Sequence, residues 1–423
     1  MKPRVLFDVS QLGSFSGVGE RGVRRVVENL AKGLLRESNV TVRFAGISTF
    51  DREKLAQALG PQSTALTSFS QTPELLDRLA FRFTRGGSSG IANLVRQTPG
   101  VRGILFRSAR AVISQSQRIP QRAFGEADIY HSPFRPLPSP RQGPAHLRWF
   151  LTVYDLIPLL QPDLVAPESV RQVSAIARSI HPKAWLTCIS EATKRAVAEV
   201  LRFPVEKIFV TRLAASKEIF YRVDGEEARQ TRQRYAIGNF PYILSLSPIE
   251  QRKNLVHLLD SFELLLRQEK IRDLRLVVVG AYAAESPEFR DLTARHPAIS
   301  DRVIFTGFVP NEDLAAIYSG AIAFGFPSLA EGFGLPPLAA MQCGVPVISS
   351  DVMSLPEVVG NAGFLLDPTD KEAWAEAMLR LVSDSDLRQE LSRRSLARAS
   401  EFTWERTVGE LISAYKFSLA HDS

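Results

Sequence analysis

Short β-branched or apolar runs alternate with longer segments of helical spacing, in two separate series along the chain. In the first, Arg4-Val5-Leu6-Phe7-Asp8-Val9 reads as a buried strand and a glycine-rich loop runs from Leu12 to Gly22. Val23, Val26, Val27, Leu30 and Leu34 then recur at three and four, the spacing of a helix face. Val40-Thr41-Val42-Arg43-Phe44-Ala45-Gly46 begins the next strand, and the order strand, loop, helix, strand predicts a parallel sheet with right-handed crossovers. The second series starts near Tyr242-Ile243-Leu244-Ser245-Leu246 and continues through Leu274 to Gly280, Val303 to Gly307, Ala321 to Pro327 and Val345 to Ser349. Each run precedes a helix-like segment, so the fold class is α/β, with two Rossmann-like, doubly wound domains facing across a cleft. Apolar periodicity lapses between Phe220 and Arg232, through the charged run Arg222 to Arg229. That divides the chain into residues 1–220, 221–402 and a last helical segment, 403–423, able to pack on either domain.

With 423 residues, 45% of them hydrophobic, the chain can bury two cores of this kind. The N-terminal MKPRVLFDVSQLG holds too few apolar residues for a secretory signal core, and no run is long enough to span a bilayer. Cytoplasm is therefore the expected compartment. Cys188 and Cys343 sit in apolar contexts and read as small core residues rather than a disulfide or metal pair. A net charge of +7 admits acidic ligands, nucleic acid or an anionic membrane surface. Much of it lies at about 74–123, where Arg78, Arg82, Arg85, Arg96, Arg102, Arg107, Arg110, Arg118 and Arg122 alternate with apolar residues. Two readings of this segment stand level: amphipathic helices on the inner face of a membrane, and an ordinary solvated basic face. Nucleic acid ranks below both, since no reading motif accompanies the charge.

The chemistry concentrates in Glu331-Gly332-Phe333-Gly334-Leu335-Pro336-Pro337-Leu338-Ala339. Prolines are tolerated in the first turn of a helix, so a helix begins at about 336, behind glycines that let a ligand approach the backbone. A helix start behind a glycine loop is an anion site. Glu331 repels phosphate and is suited to hydrogen-bond hydroxyl groups attached to it, as a sugar would present. Glu250-Gln251-Arg252-Lys253-Asn254-Leu255 follows a strand and so occupies the carboxyl edge of the second sheet. Lys253 is suited to a diphosphate, with Arg252 its competitor.

These residues resemble the retaining, GT-B-fold glycosyltransferases of family 4. The resemblance rests on Tyr242 to Leu255, Phe305-Thr306-Gly307-Phe308-Val309-Pro310, Pro327 to Leu338, Cys343 to Ile348 and Leu355 to Phe364. It is looser in the first half, at Arg21 to Val27, Asp128 to Pro133, Thr152 to Pro158 and Ile189 to Lys194, and leaves out the arginine-rich segment. It implies a C-terminal domain that binds a nucleoside-diphosphate sugar, an N-terminal domain that binds a saccharide or lipid-linked acceptor, and a C-terminal helix crossing back. By the same resemblance the backbone of Gly307, Phe308 and Val309 meets the nucleobase and Lys253 meets the diphosphate. Glu331, Gly332 and the amides of Phe333, Gly334 and Leu335 meet sugar and phosphate, and Gly22 approaches the diphosphate from the other domain. His131 and Asp155 fall where the family carries residues near the acceptor, His131 reading equally as a structural hydrogen-bonder. Tyr154 stands before Asp155 where a histidine is common.

No convincing DxD-type metal motif appears, and a front-face transfer stabilised by cations and helix dipoles requires neither metal nor cofactor. The implied activity is sugar transfer in the making of a surface or extracellular polysaccharide; the competing reading is an inactive GT-B protein that binds sugar nucleotide or glycan. The family pattern places a glutamate for the ribose eight residues after Glu331, where this chain has Ala339. Three explanations stay open: other groups hold the nucleotide more weakly, a nearby acid such as Glu357 substitutes, or the donor site has decayed. Glu357 reads equally as a cap of its own helix.

Overall fold

The computed structural model describes residues 2–13, 20–46, 59–60, 67–69, 119, 121–246, 250–268, 271, 273–280 and 287–421. The arginine-rich segment lies outside the described residues except for residue 119 and its last three positions. Strands β1 (Arg4–Asp8), β2 (Thr41–Gly46), β3 (Thr67–Phe69), β4 (Ile129–Ser132), β5 (Arg148–Val153), β6 (Ala184–Cys188) and β7 (Ile208–Val210) form one sheet. Its order is β3-β2-β1-β4-β5-β6-β7 and every pairing is parallel. A second sheet contains β8 (Tyr242–Leu246), β9 (Arg275–Val279), β10 (Val303–Gly307), β11 (Ala323–Phe326), β12 (Val347–Ser350) and β13 (Gly363–Leu366). Its order is β10-β9-β8-β11-β12-β13, again parallel throughout. The α/β architecture of two doubly wound sheets is the one the alternating pattern predicts.

In each sheet the strand order reverses at one place, between β1 and β4 in the first and between β8 and β11 in the second. Chains leaving adjacent strands in opposite directions open a crevice at the carboxyl edge, where open α/β sheets bind ligands. The loops after β8 and β11 carry Arg252, Lys253 and Glu331, so sheet topology alone puts these three side by side.

The core has three parts. One apolar cluster covers the outer face of the first sheet around Trp149, Phe124 and Tyr130, and another covers the outer face of the second around Phe262, Trp374 and Met378. The third runs continuously through both halves, from Phe7, Val27 and Phe44 to Phe324, Phe333 and Leu338. Cys188 and Cys343 are free and buried within these cores. Among the described residues no helix is long and apolar enough to cross a membrane.

The last helix, Trp404–Ala420, packs on the first sheet rather than the second. Its apolar face includes Val408, Leu411, Ile412 and Tyr415, all buried, and Thr403 caps it by accepting from the Arg406 amide. Tyr415 lies edge-on to Phe150 at 4.9 Å, and Arg148 Nε donates to the Ser418 carbonyl at 3.1 Å. The helix also crosses Glu20–Arg36 closely enough that a Cβ added at Gly33 would lie 2.4 Å from Val408 Cγ2.

Glycine in a helix interior normally weakens it by about 0.5–1 kcal/mol relative to alanine. Here Gly33→Ala should do the reverse, lowering stability by about 1–3 kcal/mol through overpacking. A denaturant titration measures this, and Val408→Ala in the same chain should make the two changes less than additive.

Candidate functional site

After β8 the chain makes a single turn, Gln251–Lys253, that ends at Asn254 in the left-handed region with φ 54°. Asn254 Nδ2 donates to the Pro368 carbonyl at 2.8 Å, which fixes the exit of the turn. The Arg252 carbonyl accepts from the Leu329 amide at 2.8 Å and Ser328 Oγ at 3.1 Å, tying this turn to the loop after β11. The two loops thus bring together residues nearly 80 positions apart. Glu331 Oε1 accepts from Arg252 Nη1 at 2.9 Å and from Lys253 Nζ. Arg252 Nη1 also donates to the Ala330 carbonyl at 2.8 Å, while the Lys253 ammonium stands 4.8 Å above the Phe326 ring.

This cluster is largely shut off from water: the Lys253 and Glu331 side chains are 10% and 11% exposed. Burial disfavours the charged forms, and it pushes the Lys253 ammonium below its ordinary value despite Glu331. It opposes ionisation of Glu331 too, but the Lys253 and Arg252 charges outweigh it and hold that carboxyl below the usual range. Arg252 Nη2 also stands 3.7 Å from Oε2 of the more exposed Glu250, so both cations are held among carboxylates at this edge of the sheet. Among the described residues none donates to Glu331 Oε2, which therefore remains an acceptor for a hydroxyl group.

Past Glu331 the loop turns at Gly334, φ +115°, into the helix Leu335–Gln342, with Pro336 and Pro337 in its first turn. A side chain at Gly334 would be strained by that φ and would meet Leu355 Cδ2 at 2.9 Å. Ser354 Oγ donates to the carbonyls of both Glu331 (2.8 Å) and Phe333 (2.9 Å), holding them to one side. Among the described residues nothing accepts from the amides of Phe333, Gly334 or Leu335, so the helix start is an open set of donors.

The first sheet supplies a third wall. The carboxyl ends of β5 and β6 lead to Tyr154-Asp155 and to Ser190, and these meet Gly332. A Cβ at Gly332 would lie 2.8 Å from the Tyr154 carbonyl and 3.1 Å from Asp155 Oδ2, so only glycine allows this approach. Asp155 Oδ1 accepts from the Ile157 amide at 3.0 Å. Burial raises the Asp155 carboxyl, with Glu331 adding to the effect and Arg252 and Lys253 opposing it. The Tyr154 hydroxyl is buried with no partner among the described residues.

The structure thus joins Arg252, Lys253, Glu331, Gly332 and Asp155 in one place. Gly307, Phe308 and Val309 stand at the end of β10, three places from β11 in the sheet; Gly307 has φ +70°, Phe308 is exposed and Val309 is buried. The Gly307 carbonyl already accepts from the Gly280 amide at 3.2 Å. Gly22 lies in the first turn of Glu20–Arg36, and an added Cβ would meet nothing.

Two expectations need correction. His131 is fully buried on β4, with Nδ1 on the Tyr415 hydroxyl and Nε2 on Thr152 Oγ1 at 2.8 Å. Both ring nitrogens are engaged inside the core, so its structural role displaces the catalytic one. Glu357 neither caps its own helix nor stands free to replace a ribose ligand: its oxygens accept from the amides of Glu191 and Ala192, in the other half. Ser190 and Ser354 add two site residues that the motifs alone do not mark. Ser190 carries a detectable signal as a serine directly before a helical pattern, whereas Ser354 carries none, because its carbonyl partners lie 21 and 23 residues earlier.

Solved structures with this arrangement include a glycosyltransferase from Rickettsia africae ESF-5, with TM-score 0.65 and 16% identity over all of both chains. Anabaena Alr3699/HepE in complex with UDP and glucose gives TM-score 0.66 and 17% identity over 98% of this chain and 100% of that one. The fold is GT-B, the two-sheet architecture of these glycosyltransferases. The O-antigen chain mannosyltransferase B of Escherichia coli is 32% identical over 289 residues, 68% of this chain and 74% of that protein. The serotype-specific mannosyltransferase WbdA of Escherichia coli is 29% identical over 267 residues, 62% of this chain but 32% of its own length. The family model described as glycosyl transferases group 1 matches residues 227–398, and the chain belongs to that family.

Burial pushes the His131 imidazole down to about 3 from 6.5, so the folded protein binds its proton less readily than the unfolded chain does. The stability contributed by neutral His131 is fully present above pH about 6.5 and is lost as pH falls toward about 3. Denaturation midpoints between about pH 6 and pH 4 should fall less steeply for His131→Gln than for the unsubstituted protein.

Proposed function

We propose that the protein is a retaining glycosyltransferase of family 4. It moves a hexose from a nucleoside-diphosphate sugar to a saccharide or lipid-linked saccharide during surface or extracellular polysaccharide synthesis. The observation that carries this reading is the Glu331 carboxylate held by Arg252 and Lys253 beside the unpartnered amides of Phe333, Gly334 and Leu335. The two cations and the helix start suit the diphosphate, and Glu331 Oε2 suits a sugar hydroxyl.

The acceptor hydroxyl oxygen bonds to the anomeric carbon on the face from which the diphosphate oxygen departs. Its proton passes to that departing oxygen, and configuration is retained. Charge developing on the diphosphate is stabilised by Arg252, Lys253 and the amides without reorganisation, because the loops are already fixed. In this reading the transfer uses neither a divalent metal nor a cofactor. Asp155, a carboxyl of the first half that lies against Gly332, is suited to the acceptor. The names of the mannosyltransferase relatives make nucleoside-diphosphate mannose the first donor to test, and the HepE complex makes UDP the first nucleotide. Attachment to the inner face of the membrane through the arginine-rich segment belongs to the same proposal.

Ala339 is 2% exposed within the core, and Glu357 is committed elsewhere. Ribose therefore lacks its acid, and the diphosphate carries the nucleotide's affinity.

Glu331→Ala and Lys253→Ala should each lower kcat/KM by several tens-fold or more, about 2–4 kcal/mol, with turnover unchanged by a chelator. Near-normal rates in both variants would remove the site assignment, and binding of sugar nucleotide without turnover in the unsubstituted protein would favour the inactive reading. A nucleoside diphosphate and its 2′-deoxy form should bind within about threefold of each other by calorimetry, a difference under about 1 kcal/mol.

A further inference from the structure

The helix Glu191–Val200 follows β6 in the first half, and its first turn is satisfied from the second half. Glu357 Oε2 accepts from the Glu191 amide at 2.8 Å and Oε1 from the Ala192 amide at 2.6 Å. The next amide, of Thr193, is taken by Ser190 Oγ at 3.1 Å, and that of Lys194 by the Ser190 carbonyl at 3.0 Å. A carboxylate at a helix N-terminus normally comes from the helix's own first turn. Here the local acid, Glu191, is drawn away to Arg212 at 3.2 Å, and the position goes to a residue about 165 places later in the chain.

Glu357 is also fastened to the donor loop. It lies in Leu355–Val359, and Arg398 Nη2 donates to its carbonyl at 2.5 Å while Arg398 Nε donates to that of Val358 at 3.2 Å. Ser354, one residue ahead of this helix, holds the carbonyls of Glu331 and Phe333. From the other side, Ser190 Oγ donates to the Gly332 carbonyl at 2.8 Å, and Thr193 Oγ1 donates to the Tyr154 carbonyl at 3.1 Å. The same helix start therefore touches Glu357, Gly332 and Tyr154 at once.

We propose that Glu357 is a positioning residue that seats this helix on the donor loop and so brings Tyr154-Asp155 against Gly332. It acts through Ser190 and Gly332 and touches no substrate. The inference rests on reading the Glu331 cluster as the donor site.

Glu357→Gln and Ser190→Ala, each in the full chain, remove the two sides of the junction separately; thermal midpoints show that each variant folds. Each should lower kcat at least tenfold while the Kd for UDP stays within twofold, because Arg252, Lys253 and Glu331 belong to the second half's own loops. A kcat within twofold of the unsubstituted protein, with change confined to the thermal midpoint, overturns the proposal and leaves an ordinary helix cap. Loss of UDP binding in parallel with kcat also overturns it, since the carboxylate would then act on the donor itself. Absence of turnover and of UDP binding in the unsubstituted protein counts instead against the donor reading. Small-angle scattering of the ligand-free protein needs neither: a larger radius of gyration for Glu357→Gln supports the junction, and an equal one overturns it.

Discussion

A buried carboxylate shared by two cations organises the second half of this protein. Ion pairs of this kind are weak sources of stability, because desolvation offsets much of the attraction. Their effect is conditional: removing Glu331 leaves two neighbouring cations without their shared carboxylate in a poorly solvated place. Glu331, Arg252 and Lys253 therefore constrain one another's positions, and with them the loops after β8 and β11. Those loops in turn set where the glycine turn enters Leu335–Gln342 and hence where its open amides point.

The fold was legible because strand formation and helix formation leave opposite periodicities, and here each apolar run is bounded by residues that stop it. Val277 and Val278 are buried on opposite faces of β9, as a near-continuous apolar run requires in a parallel sheet covered on both sides. The donor loop was legible for a different reason: glycines, prolines and an acid at fixed spacing have few physical uses together. What lay beyond reach was tertiary pairing. His131 and Glu357 look available in sequence, since a titratable side chain carries no mark of its partners. One turns out to be held between Thr152 and Tyr415, the other against the amides of Glu191 and Ala192. The reason for Gly332 was equally hidden, because the atoms that exclude a Cβ belong to Tyr154 and Asp155.

The two halves meet through polar contacts around Gly332 and between Arg25 and Asn311, and through apolar contacts elsewhere. Around Gly332 the contacts are hydrogen bonds to carbonyls and a carboxylate, each of which water can replace if the halves part. Behind them the continuous core and the last helix supply contacts that water cannot replace. A junction built this way has one edge that can open and one that holds. Ala339 belongs to the holding side, buried among apolar neighbours, so the residue that departs from the family pattern is also one the packing has absorbed.

The last helix returns to the first sheet, and Tyr415 closes the hydrogen-bond circuit of His131 across 284 residues of sequence. During synthesis the first sheet would emerge long before this partner, with Phe150 and the buried imidazole uncovered in the meantime. Contacts of such sequence separation are slow to form, and a half-covered apolar sheet is a surface on which nascent chains stick to one another. The N-terminal half is thus completed by a helix that begins nearly 200 residues after its last strand, and a ribosome that stops before Trp404 releases a chain whose first domain lacks one of its walls.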